Sequence, residues 1–111
     1  MENDEVETLL VEDDVLESEK TIDILRKNKL TDKLLHLKNG TEANDFIFCT
    51  GVYEKRDFTK QPKAILYNVK LLKFVDIDFL NRLAAYERTK NIPLTVSSLE
   101  YEALVQHKDS N

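Results

Sequence analysis

One apolar run limits the folds open to this chain: Lys63-Ala64-Ile65-Leu66-Tyr67-Asn68-Val69-Lys70, preceded by Pro62 and carrying an amide near its end. A run of this length, set between a proline and charged residues, predicts a buried parallel strand. Asn68 then sits at the carboxyl end of that strand. In open α/β sheets this rim is where ligands bind, so the run sets both the fold class and the place to look for chemistry.

The rest of the chain alternates in the same sense. Val6 to Val11 is β-rich and nearly continuous in apolar character, which predicts a central strand, and it ends in Glu12-Asp13-Asp14. Three acids after a buried strand either place carboxylates together at the rim or cap the next helix, with Asp13 or Asp14 as N-cap. Val15 to Lys29 follows as an amphipathic helix with Val15, Ser18, Thr21, Ile22 and Leu25 inward. Leu34 to Leu37 is a short second strand. Lys38-Asn39-Gly40 is a turn, although Asn39-Gly40-Thr41 also matches a glycosylation sequon, and it opens a helix with Ala43, Phe46 and Ile47 inward.

Gly51 to Pro62 reads as a long solvated connection, its Lys55-Arg56 pair on the surface. Val75 to Arg88 has helical spacing through Ile77, Leu80, Leu83 and Ala84. Leu94 to Ser98 is a short strand interrupted by Thr95, Ser97 and Ser98, a composition suited to a sheet edge. Leu99 to His107 reads as a further helix, with Ser98 as its N-cap. The β-α-β-α-β-α-β-α order predicts a parallel, doubly wound α/β sheet with right-handed crossovers.

Size and charge narrow the function. A chain of 111 residues is one domain, 1–111. Its net charge of -5 repels a phosphate backbone, which argues against nucleic acid as a partner. No apolar stretch approaches the ~18–20 residues that span a bilayer, and Met1-Glu2-Asn3-Asp4-Glu5 is unlike a signal peptide, so the expected place is the cytoplasm, without membrane contact. Cys49 stands alone, which leaves no internal disulfide, and a buried thiol is expected. His36 and His107 have no metal-ligand spacing.

Taken in order and spacing, these pieces resemble the receiver domain of bacterial two-component response regulators, the CheY-like fold, and among those the stand-alone receivers associated with phytochrome-type kinases. Leu9-Leu10-Val11-Glu12-Asp13 is similar to the family's first strand with its acidic pair. Lys38-Asn39-Gly40-Thr41-Glu42-Ala43-Asn44-Asp45-Phe46 is similar to its "dGeeAldfl" segment, and Arg88-Thr89-Lys90-Asn91-Ile92-Pro93 to its lead into the fourth strand. The resemblance implies a flavodoxin-like sheet of order 2-1-3-4. By the same resemblance Glu12 and Asp13 fall where the family holds Mg²⁺, Asn68 where it keeps the phosphorylated aspartate, and Ser98 where a hydroxyl contacts the phosphoryl group.

The chain also departs from that pattern. Asn68 is an amide, Leu72 stands where proline is common, and Asp76 where glycine is common. The last β-α unit, with the family's lysine, is expected to be missing. A carboxamide has no anionic oxygen to attack phosphorus, so the expected function is that of a degenerate, C-terminally truncated pseudo-receiver. It would be no enzyme, and would act in a two-component phosphorelay through protein contacts with a kinase or another receiver. Glu12, Asp13 and Asn68 would form a weak or vestigial Mg²⁺ site, with no cofactor required.

Two other readings remain at this stage. One is a phospho-accepting receiver with an engineered Asn68 and a truncated C-terminus. The other is an unrelated α/β domain binding an anion near Ser97-Ser98, which the Glu12-Asp13 charge disfavours. A sheet without its last unit would leave one face under a single helix and the fourth strand as an open edge. A homo-oligomer covering both is therefore expected.

Overall fold

The apolar runs pair side by side, and the periodic segments between them coil into helices. The computed structural model describes residues 2–98. Strands Thr8–Glu12 (β1), Leu34–Leu37 (β2), Ala64–Asn68 (β3) and Leu94–Ser97 (β4) alternate with helices Val15–Lys27 (α1), Gly40–Phe48 (α2) and Phe74–Ala85 (α3). Every strand pair is parallel, and the order is β2-β1-β3-β4, as the resemblance implied. The expected helix from Leu99 to His107 lies outside the described residues.

Register fixes which side chains share a face. Leu9 pairs with Leu35 and Ile65, and Val11 with Leu37 and Tyr67. This face meets α2 and α3 through Phe46, Ile47, Phe79 and Leu83, all buried, and forms the main core. Leu10 on the opposite face is also fully buried, so β1 is covered on both sides, as its uninterrupted apolar run requires. Among the described helices α1 is the one packed against β1 on that second face.

Three expectations need correction. Val15 is 66% exposed, and the closest approach of α1 to the sheet is made by the small, buried Ser18, with Thr21, Ile22 and Leu25 half-buried around it. Val6 and Glu7 precede β1, which starts at Thr8 and takes in Glu12 as its last residue.

The third correction is within the 51–62 connection, most of which is exposed as expected but which buries Arg56 and Pro62 and half-buries Tyr53, Phe58 and Gln61. Arg56 is buried with its guanidinium 3.9 Å above the Phe46 ring, donating to Phe46 O and, at 2.8 Å, to Lys60 O. It satisfies a carbonyl in the last turn of α2, where helix geometry leaves none of its own donors and the dipole favours a cation. Tyr53 meets Phe46 edge-on at 5.1 Å, and Phe58 stacks on Phe48 at 6.1 Å. The chain can turn there because Cys49, half-buried, and Gly51 take left-handed conformations, φ 58° and 57°.

Candidate functional site

The acidic triplet and the amide meet because β1 and β3 are parallel neighbours in matched register. Glu12, the last residue of β1, pairs with Asn68, the last residue of β3, and Asn68 pairs in turn with Ser97. Glu12, Asn68, Ser97 and Ser98 line one open cleft of about 330 Å³ at the carboxyl rim, with Lys70 and Asp14 at its mouth. Asn68 is half-buried, whereas Glu12 and Ser98 are buried.

The acids divide their roles. Asp14 is the N-cap of α1, its Oδ1 accepting the Glu17 N–H at 3.0 Å. Of the two residues proposed as caps, Asp14 takes the role and Asp13 is left at the rim. Asp13 faces a neighbouring groove that Asn39, Val69 and Lys73 also line, and its Oδ2 accepts the Lys70 N–H at 3.4 Å. Glu12 Oε2 accepts the Asp14 N–H at 3.1 Å. Burial pushes the Glu12 carboxyl above the usual glutamate range. The Asp14 N–H opposes that shift, and the Asp13 and Asp14 carboxylates add to it. The Asp14 carboxyl is held low, first by the Glu17 N–H and then by Lys70.

A rim whose buried Glu12 carboxyl is raised further by the neighbouring Asp13 and Asp14 charges is electrostatically suited to a cation. The oxygens here are hard donors, Glu12 and Asn68 lining the cleft and Asp13 the adjoining groove, and donors of that kind suit Mg²⁺ or Mn²⁺ better than a softer metal. Among the described residues no group of three or more His, Cys, Asp or Glu side chains is set to hold a metal. His36 is no ligand here: its Nε2–H donates to the Glu12 carbonyl at 3.1 Å, tying β2 to the end of β1.

Two groups beside the cleft escaped the sequence reading. Lys70, two residues beyond Asn68, sets its ammonium 3.2 Å from Asp14 Oδ2. Asp76, noted only as a departure from glycine, is a buried carboxylate that accepts the Tyr67 hydroxyl on one oxygen and the Lys73 N–H, at 2.7 Å, on the other. The pair clamps both ends of the loop that carries Val69 and Lys70. Gly40, at the start of α2, passes so close that a Cβ there would lie 2.6 Å from the Tyr67 oxygen. A tyrosine within an otherwise aliphatic strand run and an acid three residues into the helix that follows it were the available signals.

No protein-family model and no curated protein sequence matches the chain. Solved structures do. The bacteriophytochrome response regulator RtBRR superposes with a TM-score of 0.76 at 27% identity, over 94% of this chain and 63% of its own. AtBRR, also a bacteriophytochrome response regulator, gives 0.75 at 28% identity, over 94% of this chain and 75% of its own. The Mn²⁺-bound form of response regulator Rcp1 gives 0.70 at 25% identity, over 91% and 73%. The chain thus spans less than two thirds of the length of RtBRR and about three quarters of the others.

Proposed function

Since the chain is a CheY-like receiver domain, we propose that it is a non-phosphorylatable pseudo-receiver, acting in a two-component pathway by protein contact. The observation that carries this reading is Asn68 at the end of β3, paired with Glu12 across the rim. Phosphoryl transfer to a receiver needs an anionic oxygen there, and a carboxamide delocalises its nitrogen lone pair into the carbonyl instead. Glu12 and Asp13 with Asn68 Oδ1 would hold a weakly bound Mg²⁺ or Mn²⁺, and Ser98 would stand at the phosphate-contact position. A divalent ion in that place would neutralise charge on the rim, and this chain's own part is to supply oxygen donors. The Mn²⁺-bound neighbour supports the metal part of the reading.

The partner would be a kinase or a second receiver, met in the cytoplasm. Among the described residues β4 is an edge strand, with Thr95 and Leu94 exposed, and none of the described helices is long and apolar enough to cross a membrane. Self-association through that edge belongs to the same proposal. Light scattering behind size exclusion tests it: a monomer throughout the micromolar range would remove self-association without touching the rim.

The rim reading is tested by incubating the chain with acetyl phosphate and Mg²⁺ and measuring intact mass. The expected result is no phosphoryl adduct. An adduct that the mild acid stability of an acyl phosphate identifies would overturn the proposal.

A further inference from the structure

We propose that the surface where α2 and α3 end is a docking site for an acidic peptide segment bearing aromatic residues, seated on Phe48, Phe58 and Tyr86 and paired with Arg82 and Arg88. The inference deepens the reading of the chain as a protein that acts by contact. It rests on that reading only for the expectation of a partner, and it names a surface and the chemistry of what meets it.

Two helix ends and a loop build the surface. Phe48 is the last residue of α2, Tyr86 directly follows α3, and Phe58 comes from the connection between α2 and β3. The rings touch one another, with centroids 6.1 Å apart for Phe48 and Phe58, 5.2 Å for Phe48 and Tyr86, and 6.4 Å for Phe58 and Tyr86. Phe48 also meets the buried Phe79 edge-on at 6.4 Å, which anchors the group in the core. Phe48 and Phe58 are nevertheless only half-buried, and Tyr86 is 45% exposed. Rings already fixed by one another lose little conformational freedom when a partner covers them.

The charge around the rings runs against that of the chain, whose net charge is -5. The Arg82 guanidinium lies 5.4 Å from the centre of the Phe48 ring and donates to Asn44 Oδ1 at 3.0 Å. Arg82, Arg88 and Lys60 are exposed, and none of them forms an ion pair among the described residues. The acids adjacent in sequence are engaged. Glu87 holds Lys90 at 2.9 Å, and Asp57 Oδ1 accepts the Thr59 hydroxyl at 2.6 Å and the Thr59 N–H at 2.9 Å. Those two bonds first, and then the Lys60 and Arg88 charges, hold the Asp57 carboxyl low, so both cations lie within electrostatic reach of the residue before Phe58.

Helix carboxyl ends attract cations of this kind, but here they are answered from within. Arg56 donates to Phe46 O at the end of α2, and the Thr89 hydroxyl donates to Leu83 O at 2.7 Å at the end of α3. The outward cations are left for a partner. Charge complementarity makes that partner acidic, and aromatic and arginine side chains are those that anchor protein interfaces. Aromatic rings among cations also suit single-stranded nucleic acid, which needs ring faces free for stacked bases. Phe48 and Phe58 spend faces on each other, at an interplanar angle of 29°, and the net charge of the chain opposes a polyphosphate. An acidic peptide needs only apolar area beside cations.

The experiment titrates the isotope-labelled whole chain with a short blocked glutamate peptide carrying two phenylalanines, reading backbone amide shifts by nuclear magnetic resonance at low salt. Saturable binding is expected with a Kd below about 1 mM, with the shifts centred on Phe48, Phe58 and Tyr86. Arg88→Glu should weaken it roughly five-fold or more, the factor set by the upper range for an exposed ion pair. Arg82→Glu should act in the same direction, and it keeps the test decisive should Arg88→Glu disturb the fold. Lys38→Glu makes the same change of charge at an exposed residue beyond β2, at the carboxyl rim, and should change affinity less than two-fold. A peptide with serine in place of phenylalanine should bind at least five-fold more weakly, since its apolar contact is gone.

No saturation at millimolar peptide, equal weakening by the arginine variants and Lys38→Glu, or equal binding of the serine peptide would each overturn the inference. So would shifts centred on the carboxyl rim, or tighter binding of an oligouridylate than of the peptide. Phosphoryl uptake by the native chain would overturn the proposed function and leave the peptide comparison standing, so the two failures are distinguishable.

Discussion

Replacing Tyr67 by phenylalanine tests the clamp that holds the rim loop. Tyr67 is fully buried, its ring stacked on Phe79 with centroids 5.7 Å apart, and its hydroxyl donates to Asp76, which is 3% exposed. Phenylalanine keeps the ring and its packing and removes one donor from a buried carboxylate. A hydrogen bond to a charged group contributes about 1.5–3 kcal/mol. Asp76 keeps the Lys73 N–H, so the loss should stay within that range and should not reach the cost of an unpaired buried charge. For a domain near this size the melting midpoint should fall by roughly 6–12 °C. Urea unfolding followed by circular dichroism gives the free energy, and calorimetry gives the midpoint.

The same substitution carries a pH signature. Burial, then the bond to Asp76 and its charge, raise the Tyr67 hydroxyl far above the ordinary tyrosine range. The folded chain therefore keeps this proton at pH values where the unfolded chain, with an ordinary tyrosine pKa of about 10, has released it. With more protons bound in the folded state, stability falls as pH rises. The contribution of the Tyr67 proton is complete below about pH 10 and is lost above it. The native chain's advantage over Tyr67→Phe should accordingly shrink by up to about 1.4 kcal/mol per pH unit once the unfolded tyrosine ionises. Taking the difference between the two proteins cancels the lysines, and Tyr53, also raised by burial, is common to both. A Tyr67→Phe chain within 0.5 kcal/mol of native, or an advantage that stays constant to pH 11, refutes the clamp.

Gly40→Ala should destabilise by about 1–3 kcal/mol in the same urea assay, because its Cβ would press to 2.6 Å from the Tyr67 oxygen and 2.8 Å from an Asp76 oxygen. In a Tyr67→Phe background that cost should drop, since one of the two clashing atoms is gone. Arg56→Met should lower stability by about 2–4 kcal/mol by leaving the carbonyls of Phe46 and Lys60 without this donor; a loss under 1 kcal/mol would return the 51–62 connection to the solvated description. Asn39→Ala removes the side-chain oxygen that accepts the Glu42 N–H at 2.9 Å, and should cost about 1 kcal/mol with the urea m-value unchanged.

The sheet could be read from the sequence because each of its strands announces itself locally. Leu9, Leu10 and Val11 are consecutive and all buried, and a parallel central strand is the structure that buries three consecutive side chains with helices on both faces. The rim followed from the same fact, since residues that end neighbouring parallel strands in register must meet, and Glu12 and Asn68 do. The packed part of the 51–62 connection could not be read in that way. Lys55 and Arg56 have the same local context and charge, yet Lys55 is exposed and Arg56 is buried, because the cation of Arg56 completes the end of α2 ten residues earlier. Asp76 was hidden for a similar reason. Its partners are a strand phenol and a backbone N–H that only the crossover from β3 to α3 brings together.

Of these groups Asp76 bears on the rim directly, because it holds the loop that follows Asn68. The amide of Asn68 at the end of β3 offers a cation one charge fewer than a carboxylate would. The loop beyond it is ordered from beneath: Asp76 sits where a helix N-terminus favours an acid, and spends its second oxygen on Tyr67, one residue before Asn68. The loop so fixed presents Lys70 to Asp13 and Asp14. Order and charge pairing at the rim are thus supplied by side chains of the chain itself. Asp76→Asn should therefore loosen the loop as well as lower stability, and the amides of Val69 and Lys70 should exchange with deuterium faster in the variant than in the native chain. Unchanged exchange at those amides in a folded Asp76→Asn chain would separate the clamp from order at the rim.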